Sequence, residues 1–248
     1  MRLFIIAFQF LTIVPLPVTV RCEEEDLGRS MAFFPLVGLA VGALMAGGDF
    51  LLAPLLPRPV GDLVLVALLS IVTGALHLDG LSDVCDGLAA RGPRERFLEI
   101  MKDSRVGAVG AVGLVLGLML KYQALLALPL EHKRAALLFF PMAARFAQVQ
   151  MTVGSKRARK DGLGHAFVGG AGALQLVIAG ACTVAVAALL LGLSGLITLL
   201  LLFVLTLGVK AWAHRRLGGV TGDVIGCASE LNEIFSLIFL LALLGRLG

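Results

Sequence analysis

Charge is scarce in this chain. Asp, Glu, Lys and Arg make up only 15% of its 248 residues, against 58% hydrophobic. That leaves too little polar surface to coat a soluble globule of this size and reads as a polytopic membrane protein. The cysteines Cys22, Cys85, Cys182 and Cys227 form no C-x-x-C pair, so neither a disulfide framework nor a zinc site is indicated. The apolar stretch at residues 1–18 has no small-residue cleavage site after it. It is expected to stay in the mature chain, either as a shallow re-entrant or interfacial helix or as a full span. The apolar runs lack the polar alternation of an outer-membrane barrel. No internal repeat and no dividing linker is visible, so residues 1–248 are expected to form one integral membrane domain. A net charge of +4 in a soluble protein would suggest nucleic acid. Here basic loops at a membrane surface account for it, and no nucleic-acid partner is expected.

What is abundant is hydrophobic length. A helix needs about 20 apolar residues to cross the hydrocarbon core, and stretches at roughly 31–53, 60–78, 107–129, 134–152, 171–192, 195–213 and 225–245 qualify. The predicted fold is therefore all-α, a transmembrane helical bundle of six or seven spans. Loops at 20–30, 79–106, 153–164 and 210–224 carry fourteen basic residues. The opposite segments carry four, Arg58, Lys133, Arg134 and Arg246. The positive-inside bias places the first group in the cytoplasm. Glycines at helical spacing, such as Gly38 and Gly42 or Gly107, Gly110, Gly113 and Gly117, read as close-packing positions between helices.

Carboxylates are concentrated at the ends of these spans. In HLDGLSDVCDG, residues 77–87, a continuing helix puts Asp79, Asp83 and Asp86 at i, i+4 and i+7, on one face. Three carboxylates so stacked repel one another, and without a cation at least one is pushed toward its protonated form. Hard oxygen donors of this kind suit Mg²⁺, with Mn²⁺ as the alternative ion. His77 points elsewhere on the helix, about 160° from Asp79, as a partner behind the ligands, a proton carrier or an interfacial histidine. In GGVTGDVIGCASELNE, residues 218–233, Asp223, Glu230 and Glu233 again share a side, and ionisable residues carried into an apolar segment are functional candidates. In MKDSRVGAVG, Lys102, Asp103 and Arg105 precede a helix start, a ready anion site. SKRARKDGLGHAF, with Arg159, is a weaker basic signal. Arg145, deep in an apolar span, should face the bundle interior and meet an anion. The structural alternatives are a solvated helix end, an acidic pair used for packing, and a basic membrane flank.

The blocks HLDGLSDVCDGL, MKDSRVGAVG, RARKDGLGHAF and GGVTGDVIGCASELNE, in this order between apolar spans and with QFLTIVPLP and FFPLVGLAVG before them, resemble the cobalamin synthase family (adenosylcobinamide-GDP ribazoletransferase). One departure is Ile13, where the family pattern leads to a basic residue, and it argues against substrate contact by the N-terminal segment. The resemblance implies a Mg²⁺-dependent enzyme of the bacterial cytoplasmic (inner) membrane, with its active site facing the cytoplasm. It would join adenosylcobinamide-GDP to α-ribazole or its 5'-phosphate and release GMP. Such a reaction needs charge neutralisation and alignment above all, and paired metals about 3.5–4 Å apart supply both. On that reading Asp79, Asp83 and Asp86 are the principal metal ligands, with Asp223 and Glu230 as further ones. Asp103, Glu233 or His77 takes the proton or completes the metal shell, and Lys102, Arg105, Arg145 and Arg159 hold phosphate. Besides its substrates and the lipid bilayer, a second copy of the chain or other cobalamin-assembly enzymes are open as partners. Two other classes compete. A CDP-alcohol-type head-group phosphotransferase should carry D-G-x-x-A-R, whereas Asp79 and Gly80 are followed by LSD. A secondary transporter should place its charges near the midplane and show repeated halves.

Overall fold

The computed structural model describes residues 1–159 and 164–247. Lys160, one of the basic residues counted above, lies outside the described residues, as does the side chain of Arg246. The described chain is helical, with one isolated bridge between Arg157 and Val220.

Residues 1–18 hold only a ten-residue helix, α1 (Arg2–Leu11). At 1.5 Å per residue it is about 15 Å long, half the hydrocarbon thickness. A short helix α2 (Glu24–Ser30) runs through a 3₁₀ turn into α3 (Phe34–Leu52). The expected span at 60–78 is interrupted. Gly74 and Ala75 both take left-handed dihedrals, φ 59° and 54°, which cannot continue a right-handed helix and which strain the alanine. The chain therefore splits into α4 (Arg58–Val72) and α5 (Leu76–Ala89), bent 89° apart, so residues 60–78 form no straight continuous span. After α6 (Arg94–Ile100) follow α7 (Ala108–Ala127), α8 (Leu130–Thr152), α9 (Gly164–Gly170), α10 (Ala173–Leu217) and α11 (Gly222–Leu247).

Among the described residues, four helical runs are long and apolar enough to cross a membrane, or five if the bent α4–α5 pair counts as one. The expectation was six or seven, and two features account for the difference. The 45-residue α10 is not one rod. Gly192 leaves the helical region (φ 54°, ψ −134°), and a Cβ added at Gly195 would lie 2.5 Å from the carbonyl oxygen of Ala187. Eight residues of straight helix would separate those positions by about 12 Å. The chain doubles back at Gly192, so the apolar stretches 171–192 and 195–213 run as two segments. The other feature is α8, which opens with Glu131, Lys133 and Arg134 and carries Arg145, Gln148 and Gln150 further on, so no stretch of it is apolar enough to qualify. Its 23 residues nevertheless reach about 35 Å, and it is the buried axis of the bundle, packed on α3, α10 and α11. Gly38 and Gly42 bring α3 onto α8 so closely that a Cβ at either would strike the backbone of Pro141 or Leu137, the small-residue packing expected of membrane helices.

The two ends of α8 are polar in different ways. At its start, Lys133 lies between Asp49 and Asp62, with Arg58 and Arg134 on the same carboxylates, beside a cavity of about 520 Å³. At its end, Lys210 donates to the carbonyls of Gln150 (2.9 Å) and Val153 (2.5 Å), a cationic cap on the last turn. There the loops carrying most of the basic residues converge with the start of α11.

Candidate active site

The site is built where α11 starts against α5. Gly80 has no side chain to hold the helices apart, and a Cβ there would fall 2.5 Å from the Asp223 carbonyl oxygen; at Gly226 a Cβ would only touch the His77 backbone, at 3.4 Å. This contact sets Asp223 beside the acidic face of α5. Asp83 is half-buried, and burial, then the negative charges of Asp79 and Asp223, push its carboxyl up to about 7; Arg159 opposes this and Asp86 adds to it. The mutual repulsion expected of the aligned aspartates is therefore present, and it extends to a carboxylate from another helix. Arg159 donates to Asp223 through Nη2 at 2.9 Å.

Asp86 is used differently. Its two oxygens accept the backbone N–H groups of Gly107 and Gly110, both at 2.7 Å. The N-terminus of α7, expected to receive a substrate anion, is thus occupied by the chain's own carboxylate, a favourable use of the helix dipole. Among the described residues no three His, Cys, Asp or Glu side chains converge on one point in a metal-binding group.

Next to the carboxylates lies a cavity of about 250 Å³. One wall is polar, with Asp79, Asp223, Arg157, Arg159, His77 and Gln148; the other is apolar and includes Phe10, Phe34 and Phe167. Phe167 sits 4.6 Å from Phe10 and 5.8 Å from Phe34 between ring centroids, so α1, α3 and α9 each contribute one ring. The departure at Ile13 therefore does not remove the N-terminal segment from the site. Arg157 and Arg159 are placed by a short pairing with the segment before α11: Val220 N–H donates to the Lys156 carbonyl (2.8 Å) and Ala158 N–H to the Val220 carbonyl (3.0 Å). Arg94 ties both strands of this loop pair, donating to the carbonyls of Leu217 (2.6 Å) and Ala158 (2.7 Å).

Behind the cavity a polar chain runs into the bundle. His77 Nε2 lies 2.9 Å from Gln148 Nε2, and Gln148 reaches Ser229 Oγ at 2.8 Å. Arg145 Nη1 donates to Ser229 (3.2 Å) and to Glu233 (2.5 Å). Lys121 Nζ donates to Glu233 (2.6 Å) and Glu230 (2.7 Å). All these side chains are buried. The anion that Arg145 was expected to meet is thus internal, and the structure places Glu230 and Glu233 with two cations rather than with Asp223. Lys102, Asp103 and Arg105 lie apart from the cavity lining, with Arg105 exposed and clasping Asp103 at 2.6–3.1 Å. Those bonds hold the Asp103 carboxyl down to about 2.

A family model described as Cobalamin-5-phosphate synthase matches residues 3–241. The chain belongs to the cobalamin synthase family. It is 65% identical to an adenosylcobinamide-GDP ribazoletransferase of Geotalea daltonii, covering 99% of both chains. Proteins of the same name from Klebsiella pneumoniae and Clostridium tetani are 41% and 31% identical, each alignment covering 97% of this chain and 98% and 96% of the relative. No solved structure matches.

In this cobalamin synthase family member, several residues of the site were not anticipated. Lys121 carried a usable signal, since a lysine inside an apolar run must find a partner. Gln148 stands three residues after Arg145 on the same helix face, a weaker pointer. Phe10, Phe34 and Phe167 gave none, because an aromatic residue in a hydrophobic chain is ordinary until three of them meet.

Proposed function

We propose that this chain transfers the adenosylcobinamide-phosphate group of adenosylcobinamide-GDP to a ribose hydroxyl of α-ribazole or its 5'-phosphate, releasing GMP, at the cytoplasmic face of the bacterial inner membrane. The observation that carries this reading is the meeting of the α5 and α11 carboxylates with Arg159 beside a cavity that is polar on one side and aromatic on the other. It suits a substrate pair comprising a diphosphate and a nucleoside. Full-length similarity to proteins named for this transfer supports the same reading.

Mg²⁺ fits the donors present. Asp83 keeps its proton up to about 7 because of burial and its neighbours' charge, and a divalent ion would relieve that crowding. Asp79, Asp83 and Asp223 would hold it, the side chains drawing together from their present positions, while Asp86 fixes the neighbouring turn of α7. When bound, the ion supplies Lewis-acid charge neutralisation at the phosphate oxygens.

The chain's own groups do the rest. Arg159 and Arg157 face the cavity as cations suited to phosphate oxygens. Of the three candidate proton acceptors, Asp103 is held by Arg105 at about 2, too acidic to take a proton from a hydroxyl near neutrality. Glu233 has both oxygens committed to Lys121 and Arg145. His77 lines the cavity with Nδ1 unpartnered. With the Gln148 amide turned so that its oxygen accepts from His77 Nε2, the free lone pair lies on Nδ1, which the protein encloses, so His77 takes the hydroxyl proton only once its ring turns toward the cavity.

The test is GMP release by the purified protein in detergent from adenosylcobinamide-GDP, with and without α-ribazole and Mg²⁺. Release that depends on both supports the proposal. Release indifferent to α-ribazole, or undiminished after exhaustive chelation, removes the transfer or the metal respectively.

A further inference from the structure

We infer that the apolar wall formed by Phe10, Phe34 and Phe167 is the subsite for the flat base of the nucleoside acceptor, with the sugar directed toward His77 and the carboxylates. The inference rests on the transfer reading and adds to it which part of which substrate fills the cavity. Three observations carry it. The first is size: about 250 Å³ accommodates a nucleoside-sized group and is below the usual range for a larger ligand, so the corrinoid partner must lie outside with only its diphosphate reaching the acidic edge. The second is the wall itself. Rings from three separate helices converge within 4.6–6.1 Å of one another; Phe10 is the partly open one, with Phe34 and Phe167 packed behind it, a backing on which a heteroaromatic base stacks.

The third observation tells against guanine, which could be paired here only by the carboxylates and arginines assigned to the metal and phosphates. Guanine brings amino and carbonyl groups that need partners, and leaving them unpaired in a buried site is costly. The neutral polar side chains of the cavity are already engaged. Thr152 donates to the Gln148 carbonyl at 2.8 Å, Gln148 binds His77 and Ser229, and Thr221 accepts from Val224 N–H at 3.2 Å. A base with a mostly apolar edge, as in a benzimidazole nucleoside, makes no such demand. Its ribose then meets the wall that holds the proton acceptor and the phosphate-binding arginines.

Phe10 is the residue to change, because it is only partly buried whereas Phe34 is almost fully enclosed. Wild type, Phe10→Leu and Phe10→Trp are purified in detergent, checked for unchanged melting temperature, and assayed for GMP release and for equilibrium binding of α-ribazole alone. Phe167→Leu, on a different helix, is a second variant reading the same wall. Leucine keeps apolar volume but removes the ring. Both leucine variants should raise KM and Kd for α-ribazole about tenfold, near the low end of what stacking on one ring supplies, and move KM for adenosylcobinamide-GDP by less than about twofold. Phe10→Trp should stay within about threefold of wild type. Folded leucine variants with unchanged α-ribazole affinity overturn the inference, as does an equal rise in KM for adenosylcobinamide-GDP, which assigns the wall to the other substrate. Wild-type protein that releases no GMP overturns the transfer reading itself, a result distinguishable from either.

Discussion

Glu230 and Glu233 lie one helical turn apart, yet their replacement by glutamine should have unequal consequences. Lys121, Arg145, Glu230 and Glu233 form a buried group of two cations and two anions, none more than 4% exposed. Glu233 binds both cations, at 2.6 and 2.5 Å, whereas Glu230 binds Lys121 alone at 2.7 Å. Glu233→Gln leaves Arg145 without its carboxylate, and stranding a buried charge costs about 3–5 kcal/mol. Glu230→Gln leaves Lys121 with Glu233 and still offers a carbonyl oxygen, so the loss is that of one charge-assisted bond, about 1.5 kcal/mol. At about 2–4 °C per kcal/mol for a chain of this length, the melting temperature in detergent should fall by about 6–20 °C for Glu233→Gln and about 3–6 °C for Glu230→Gln. Below its melting point the Glu230 variant should retain most of its turnover. Lys121→Met should be as damaging as Glu233→Gln, and adding Glu230→Gln to it should recover part of the loss by restoring neutrality. A Glu230→Gln protein of unchanged melting temperature that loses turnover and needs more Mg²⁺ would refute this account and make Glu230 a metal ligand.

Three further outcomes are expected. Asp83 holds its proton to about 7 in the folded protein against 3.8 for the free side chain, so the metal-free protein carries an extra proton between those values and its stability falls as pH rises through that window. On the proposed binding at Asp83, Mg²⁺ displaces that proton, so the rise in melting temperature on adding Mg²⁺ should be larger at pH 8 than at pH 6, and Asp83→Asn should abolish the difference; equal shifts at both pH values would contradict it. In a cysteine-free background, cysteines at Ser104 and Leu55 should label from opposite membrane faces, position 104 from the cytoplasm, and labelling from one face would overturn the topology. Gly38→Val should drive a side chain into the α8 backbone and abolish recovery of folded protein, whereas Gly47→Ala, which meets nothing within 4 Å, should melt within about 2 °C of wild type; equal behaviour of the two would remove the close-packing argument.

Local periodicity revealed the acidic face of α5, because i, i+4 and i+7 on one helix need no knowledge of the rest of the chain. It could not reveal that Asp86 turns to α7 while Asp79 and Asp83 look to Asp223. That division is made by long-range contacts, Gly80 on the α11 start and Gly107 and Gly110 on Asp86. The same limit applies to Glu230, which shares a helix side with Asp223 in projection but lies about 10 Å further along the axis, level with a lysine from α7. Hydropathy found the fold class and most spans. It missed the break after Val72 because neither Gly74 nor Ala75 brings a polar side chain to interrupt the run, and only their backbone angles separate α4 from α5.

The buried polar chain from His77 to Lys121 also acts as a ruler. Its links join α5, α7, α8 and α11 at fixed heights, and a slide of α11 by a single residue, about 1.5 Å, would break the bonds of Ser229, Glu230 and Glu233 at once. An all-hydrocarbon interface would tolerate such slippage, since one leucine packs nearly as well as the next, whereas paired charges fix one register. Asp223, ten residues before Glu233 on the same helix and about 15 Å away along its axis, inherits that setting. The height at which Asp223 sits at the end of the bundle is therefore set by ion pairs buried deep among the helices, well away from the cavity beside it.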